Sequence, residues 1–336
     1  MSYKKIGKQT VYLKTMPSII ATYSIVGPKE GQGPLKEYFD CILQNDKNGK
    51  DSFEKAESSM LYSAVIESIK KAGLKEEDID YLLAGDLLNQ LTSSSYAARD
   101  IDIPFIGLYG ACSTMTESLS LASILMDGGF ARYAVAATSS HFSAAERQFR
   151  FPLEFGSQRS PMAQWTVTGA GAMVLGPEGN FPYVTYVTTG KVKDYGIKDA
   201  NNMGAAMAPA AVDTIKQHFI DTGRTVKDYD LIATGDLGKV GKQLTLELLK
   251  EYGYDIFEKY IDCGDEIFDA ELQNTKSGGS GCGCSAVVDC GYIYKNILNG
   301  RFKKVLLVST GALMSPTSSM QGESIPGIAH AVAIEF

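Results

Sequence analysis

Apolar positions along the chain recur with two spacings, one suited to strands and one to helices. Residues 17–26 predict a strand that runs into the loop 27–33. The glycines of that loop do not match a dinucleotide-binding fingerprint, so a structured loop is expected there. Residues 52–71 have amphipathic helical spacing, closed by Ala72 and Gly73. A short strand follows at 81–83, running into Ala84, Gly85, Asp86 and Leu87. Residues 103–109 read as extended. Residues 113–126 carry apolar side chains at Met115, Leu119, Ala122 and Met126, and Gly128 and Gly129 stop that helix. A strand is expected at 133–138. After His141 a long segment, 142–164, mixes three arginines, two prolines and four phenylalanines. Strand character returns at 165–176 and again at 327–336. His218, in a helical run, is placed by spacing on the polar face.

The second half of the chain repeats the first. Residues 80–87 recur as 230–237, with Gly85 matching Gly235 at an offset of 235 − 85 = 150. Residues 130–138 recur as 302–310 at an offset of 172, which lays Cys112 on Cys284. The 22-residue difference between the offsets implies an insertion near residues 255–274. Two long copies that alternate strand and helix predict a mostly parallel α/β architecture, divided into 1–177 and 178–336. The two cysteine-bearing helices are expected between the two sheets, where Ser118, Ser120, Ala122, Ser123 and Ala286 allow close approach.

Composition narrows the function. The net charge of −7 leaves no basic footprint, so nucleic acid is not expected as a partner. No apolar run reaches the ~18 residues of a membrane helix, and the N-terminus has no signal-peptide core. Six scattered cysteines form neither a zinc pattern nor a disulfide framework, and a reduced, cytoplasmic chain is the expectation. Cys282 and Cys284 lack the further ligands a metal would need; no metal or cofactor is expected.

The chemistry gathers at residues 110–114. Cys112 is predicted at a strand-to-helix turn, on the first turn of a helix. Unpaired N–H groups and the helix dipole there lower a thiol pKa and make a nucleophile. The other reading is a small apolar residue in a tight turn.

The duplicated halves, Gly110–Thr114, Thr168–Leu175, the glycine-rich 277–284 and the terminal strand together resemble the thiolase-like superfamily. That resemblance covers essentially the whole chain and implies a five-layered α/β/α/β/α fold. Further stretches, among them 26–34, 84–90, 163–171, 234–241 and 321–326, resemble a sporulation-protein family of spore-forming bacteria within that superfamily. The closer resemblance implies a dipicolinic-acid-binding protein, taking the acid alone or as its calcium chelate. It also implies work with stage V membrane channel proteins in dipicolinate uptake, and a site peripheral to the spore inner membrane. By analogy with the fold, a homodimer is expected, with the strand after the Cys112 helix or segment 142–164 at the two-fold.

Condensing enzymes of the superfamily pair their cysteine with histidine or asparagine partners. Where those partners belong, this chain has Thr234-Gly235-Asp236 and Gly278-Gly279-Ser280-Gly281. The resemblance therefore implies a binding pocket inherited from an enzyme, with Cys112 as a vestigial nucleophile. Asp236 is expected to raise the Cys112 pKa. The expected ligand contacts are Cys112, Ser139, His141, Arg147, Arg150, Asp236, Ser280 and His330, with Arg159 a further candidate. A planar dianion needs cations or N–H donors and a flat slot. The alternatives are an acyl-condensing enzyme that uses Cys112 with His141 or His330, and a scaffold whose pocket is vestigial.

Overall fold

In the computed structural model of the chain, residues 3–149, 159–177 and 179–336 are described. A small antiparallel pair, β1 (Lys5–Ile6) and β2 (Thr10–Tyr12), precedes β3 (Ser18–Val26). After β4 (Cys41–Ile42) comes α1 (Phe53–Lys71), where Ser52 Oγ accepts the Lys55 N–H at 3.2 Å as an N-cap. There follow β5 (Tyr81–Gly85), α2 (Thr92–Arg99), β6 (Phe105–Gly107), α3 (Thr114–Asp127) and β7 (Ala134–Ser140). Then come α4 (Phe142–Phe149), β8 (Trp165–Thr166) and β9 (Gly169–Gly176). The second half holds β10 (Tyr183–Thr188), α5 (Met203–Thr222), β11 (Leu231–Thr234), α6 (Gly238–Glu251), β12 (Tyr260–Asp262) and α7 (Cys263–Glu266). It closes with β13 (Gly279–Ser280), α8 (Cys282–Val288), α9 (Tyr294–Leu298), β14 (Lys304–Ala312), α10 (Pro316–Met320) and β15 (Gly327–Glu335).

Strand order repeats with the sequence. One half runs β3-β9-β7-β5-β6 and the other β10-β15-β14-β11-β12. In each, the first three strands are antiparallel neighbours and the last pairings are parallel. A single pair, Tyr183 with Ser18, joins β10 to β3. Helices α1 and α2 cover the outer face of the first sheet, with Met60, Leu61, Ala64 and Val65 packed on Leu82, Val135 and Val174. Helices α5 and α6 cover the second, with Ile215 and Phe219 on Ile232 and Leu306. Between the sheets α3 and α8 touch, with Ser118, Ala122, Ser123 and Ala286 fully buried. These are the five layers of a thiolase-like fold.

The repeat register differs from the expected 172. Asp80 Oδ2 accepts the N–H groups of Arg132 and Tyr133, and Asp230 Oδ2 those of Lys303 and Lys304, an offset of 303 − 132 = 171. Side-chain facing requires the same value. Ala134 and Ala136 face the central core, as Val305 and Leu307 do, and a one-residue slip exchanges the faces of a strand. Cys112 therefore corresponds to Gly283, and Cys284 to Ser113. The Ser113 N–H donates to Gly110 O and the Cys284 N–H to Gly281 O, the same turn in both halves.

Other expectations also need correction. Helix α2 was not visible in the spacing, because its Thr-Ser-Ser-Ser start has weak helix propensity. His218 is fully buried rather than on a polar face; its Nδ1 meets Thr188 Oγ1 at 2.8 Å and its Nε2 meets Tyr229 Oη at 2.5 Å. Strand β7, the one after the Cys112 helix, pairs with β5 and β9 on its two sides and is buried throughout. It has no free edge to offer a two-fold partner. The first part of segment 142–164 is α4, and 150–158 lie outside the described residues.

Candidate functional site

The chain turns from β6 into α3 through a tight elbow. Ala111 takes φ 51°, a left-handed conformation unusual for a residue with a Cβ, and a 3-10 turn over Ala111–Ser113 leads into the helix. The elbow is held from the other half: β14 passes so close that a Cβ on Gly311 would collide with the Gly110 carbonyl. Cys112 thereby faces the carboxylate of Asp236, which lies in the turn after β11.

Asp236 is fully buried and saturated with donors. Its Oδ1 accepts from Thr310 Oγ1 at 2.7 Å; its Oδ2 accepts from Ser280 Oγ at 2.9 Å and from the Gly281 N–H at 3.1 Å. Burial raises its pKa against the pull of those hydrogen bonds. Burial, followed by the Asp236 charge, pushes the Cys112 thiol well above its ordinary range. The helix dipole does not win here: burial and the neighbouring Asp236 carboxylate both favour the thiol over the thiolate. The expectation of a depressed pKa is overturned, and the expected effect of Asp236 is what the geometry produces.

Beside Cys112 lies a narrow cavity of about 60 Å³. Leu87, Tyr109, Ala145, Phe149, Met203 and Met314 supply apolar walls; Gln164, Thr166, Asn201, Ser280 and Glu146 supply polar ones. Gln164 is fixed by its amide nitrogen, which donates to Asp236 O at 2.5 Å and to Gly279 O at 2.8 Å. Sequence reasoning missed Gln164 and Tyr109. Both sit next to motifs that were read, in 163–171 and before Gly110, but nothing in spacing marks a cavity wall.

The remaining expected contacts scatter. Ser139 turns its hydroxyl to Glu57 Oε1 at 3.2 Å, away from the cavity. His141 caps α4: its Nδ1 accepts the Ser143 N–H at 3.1 Å, and its Nε2 donates to Asp46 O at 2.9 Å. Burial lowers its pKa. His330 accepts the Gly190 N–H at 3.2 Å through Nδ1, and burial pushes its pKa down to about 4. Neither histidine lines the cavity. Arg147 lies on α4 in an ion pair with Glu54 at 2.5 Å, facing a different, open cleft. Arg150 lies outside the described residues. Arg159 donates to the Gln164 backbone carbonyl and stacks over the Trp165 ring at 4.8 Å. Among the described residues no group of three or more His, Cys, Asp or Glu is placed to hold a metal ion. Cys282 bonds Ser139 O at 3.0 Å, whereas Cys284 packs in the central core.

A duplicated five-layer fold with a cysteine elbow between the sheets defines a thiolase-like protein, and solved structures agree. The chain is similar to 3-oxoacyl-[acyl-carrier-protein] synthase III from Aquifex aeolicus VF5, with a TM-score of 0.56 and 13% identity over 95% of this chain and 100% of that one. It is similar to cerulenin-bound OleA of Xanthomonas campestris, with a TM-score of 0.61 and 13% identity over 99% of this chain and 100% of that one. At such identities the likeness is one of fold. Within this class, the model of the stage V sporulation protein AD family matches residues 7–335. Stage V sporulation protein AD of Bacillus subtilis (strain 168) is 48% identical over 332 residues, 99% of this chain and 98% of that protein. The chain belongs to the stage V sporulation protein AD family. Among the described residues no helix is long and apolar enough to cross a membrane.

Proposed function

We propose that the protein binds dipicolinic acid, alone or as its calcium chelate, in the Cys112 cavity during its uptake into the developing spore, and performs no covalent chemistry there. The observation that carries the second part is the Cys112–Asp236 contact. A condensing enzyme needs a thiolate and a base within about 3 Å of the proton it takes. Here the neighbour of the thiol is a carboxylate already holding three other donors, and both candidate histidines are bonded elsewhere. Family membership supports the sporulation role, and the apolar walls, with Tyr109 and Phe149 among them, suit an aromatic ring. Work at the inner membrane beside stage V channel proteins, and as a homodimer, belongs to the same reading.

Titration calorimetry with dipicolinate, with and without calcium, tests it. Saturable binding is expected; its absence under both conditions overturns the proposal. The second reading, an acyl-condensing enzyme, is favoured by the enzymes that share the fold. Incubation with acyl-coenzyme A separates the two, since a stable acyl adduct on Cys112 in mass spectra supports the enzyme. Phe149 lines the cavity and is followed by Arg150. Arg150→Ala is the arginine variant to titrate first. A loss of about 1.5–3 kcal/mol is expected if the guanidinium meets a ligand carboxylate.

A further inference from the structure

The Cys112 cavity is small for the ligand proposed. About 60 Å³ is room for a few waters, at roughly 10–15 Å³ of such volume each. Sites for small organic ligands run to roughly 300–1,000 Å³. Against its outer side lies a second, open cleft of about 490 Å³, lined by Leu88, Asn89, Gln90, Leu313, Ser315 and Ser318. Cavity and cleft share two residues, Tyr109 and Met314. Both residues therefore border cavity and cleft alike.

We propose that Tyr109 and Met314 form a gate, and that the cleft beyond it is the outer half of the ligand site. This rests on reading the cavity as a site for a planar aromatic acid. Opening the gate makes one slot, with Cys112, Gln164 and Ser280 at its inner end and Asn89, Gln90, Ser315 and Ser318 at its rim. The gate residues suit a flat ring, since an aromatic face and a thioether both pack favourably on one.

The structure makes one side of the gate easy to move. Met314 begins the stretch that leads into α10, a five-residue helix with no buried residue. The stretch is pinned at its ends, where the Leu313 N–H donates to Pro326 O at 2.8 Å and that of the buried Ile325 to Ile197 O at 2.7 Å. Between those pins α10 is held chiefly by its own cap, Ser315 with Ser318, and by the Ser324 hydroxyl on Asp194. Met314 itself packs, partly buried, on the cluster of Met207, Leu237 and Ile325, but the rest of the segment buries little apolar surface and opens at low cost. Tyr109, on the other side, is 46% exposed and has room to swing. The facing lip is a left-handed pair of non-glycine residues, Gln90 (φ 59°) and Leu91 (φ 54°), a strained turn held in place from elsewhere.

The test uses the thiol inside as its reporter. Cys112 is 6% exposed, so iodoacetamide reaches it only when the gate opens. Alkylation is followed peptide by peptide in the full chain at alkaline pH. Tyr109→Ala and Met314→Ala are expected to speed modification of Cys112 by about tenfold or more, as for an opening step made easier. Buried Cys263 and Cys290 report global loosening and are expected to keep their rates. If they too accelerate, Met314→Trp decides, since a bulkier gate should slow Cys112 several-fold. An unchanged Cys112 rate in Tyr109→Ala and Met314→Ala with quiet core cysteines, or in Met314→Trp, overturns the gate. Stopped-flow binding of dipicolinate to the same variants should show faster entry. If the unmutated protein binds no dipicolinate while Cys112 alkylation still follows the gate residues, the ligand reading fails and the gate stands.

Discussion

The two halves place an aspartate at the same point, the first turn after the second strand of each parallel set, and use it differently. Asp86 accepts the N–H groups of Leu88 and Ser94 and so fastens the chain leading into α2. Its counterpart Asp236 faces the centre, where Ser280, Gly281, Thr310 and Cys112 converge. The difference lies on the neighbouring strand. Opposite Ala84, β6 has Gly107; opposite Thr234, β12 has Asp262. Asp262 accepts the N–H groups of Leu237 and Gly238, both at 2.8 Å, and so does locally what Asp86 does for itself. With that role taken over, Asp236 is released to build the site. The two elbows differ in the same way. Cys112 has a cavity beside it, whereas a Cβ on its counterpart Gly283 would meet Gly169 O at 2.6 Å and Ser140 Oγ at 2.7 Å. One half holds a site and the other a packed joint.

Breaking the joint is expected to have the largest effect. Gly283→Ala forces a methyl group against backbone that cannot yield, and should cost roughly 2–3 kcal/mol by overpacking. Denaturant unfolding measures it; a loss no greater than that of Cys112→Ala would erase the contrast between the elbows. Next comes Asp236→Asn. It leaves at least one of the buried donors around Asp236 without an acceptor, at about 1–3 kcal/mol. It also removes the charge beside the thiol, so the pH profile of Cys112 alkylation should move to lower pH. Asp86→Asn is the control, expected to lower stability and leave that profile in place.

The transferred cap predicts a pH dependence. Burial, against its hydrogen bonds, pushes Asp262 up to about 7. A carboxyl whose folded pKa lies above its unfolded value binds its proton more tightly when folded. Its contribution is fully present below about 3.8 and is lost as pH rises through about 7, at no more than ~1.4 kcal/mol per pH unit. The stability difference between the unmutated protein and Asp262→Asn should therefore shrink as pH rises across that window. A difference that stays flat or grows would show that the hydrogen bonds Asp262 accepts from Thr234, Leu237, Gly238 and Asp265 outweigh its burial.

Much of this was legible in the chain. The repeat of residues 80–87 at 230–237 gave both sheets, because the strands that it marks carry the same apolar pattern and the same capping Asp80 and Asp230. The elbow was legible because glycine and small residues bracket Cys112. The one-residue error in the second offset came from aligning Phe130 with Phe302 by letter, when side-chain facing set the register. That Asp236 and Ser280 gather near Cys112 was legible because the resemblance marks their positions; of the two, Ser280 lines the cavity and Asp236 lies behind it. His141 and Arg147 were misplaced for a common reason. Both follow β7 closely, but α4 starts at Phe142 and spends the histidine on its cap and the arginine on Glu54. A pattern of residue types does not tell which hydrogen bond a side chain has already made.

The smallest effect expected is at Cys112. Cys112→Ala removes one neutral thiol from a wall that also holds Gln164, Ser280 and Asn201. The thiol lies beside Asp236, whose carboxylate keeps its three donors without it. The elbow offers less backbone than its position suggests, since the Ser113 N–H is already bonded to Gly110 O at 3.1 Å. Its loss should weaken dipicolinate by about 1 kcal/mol or less, the value of a single neutral contact. Calorimetry on the purified variant measures this, with thermal unfolding as the check that the fold survives. If a folded Cys112→Ala protein loses binding altogether, the thiol is bonding the ligand itself. Asp236 would then be the base that frees it, and the two halves would differ as enzyme and scaffold rather than as pocket and joint.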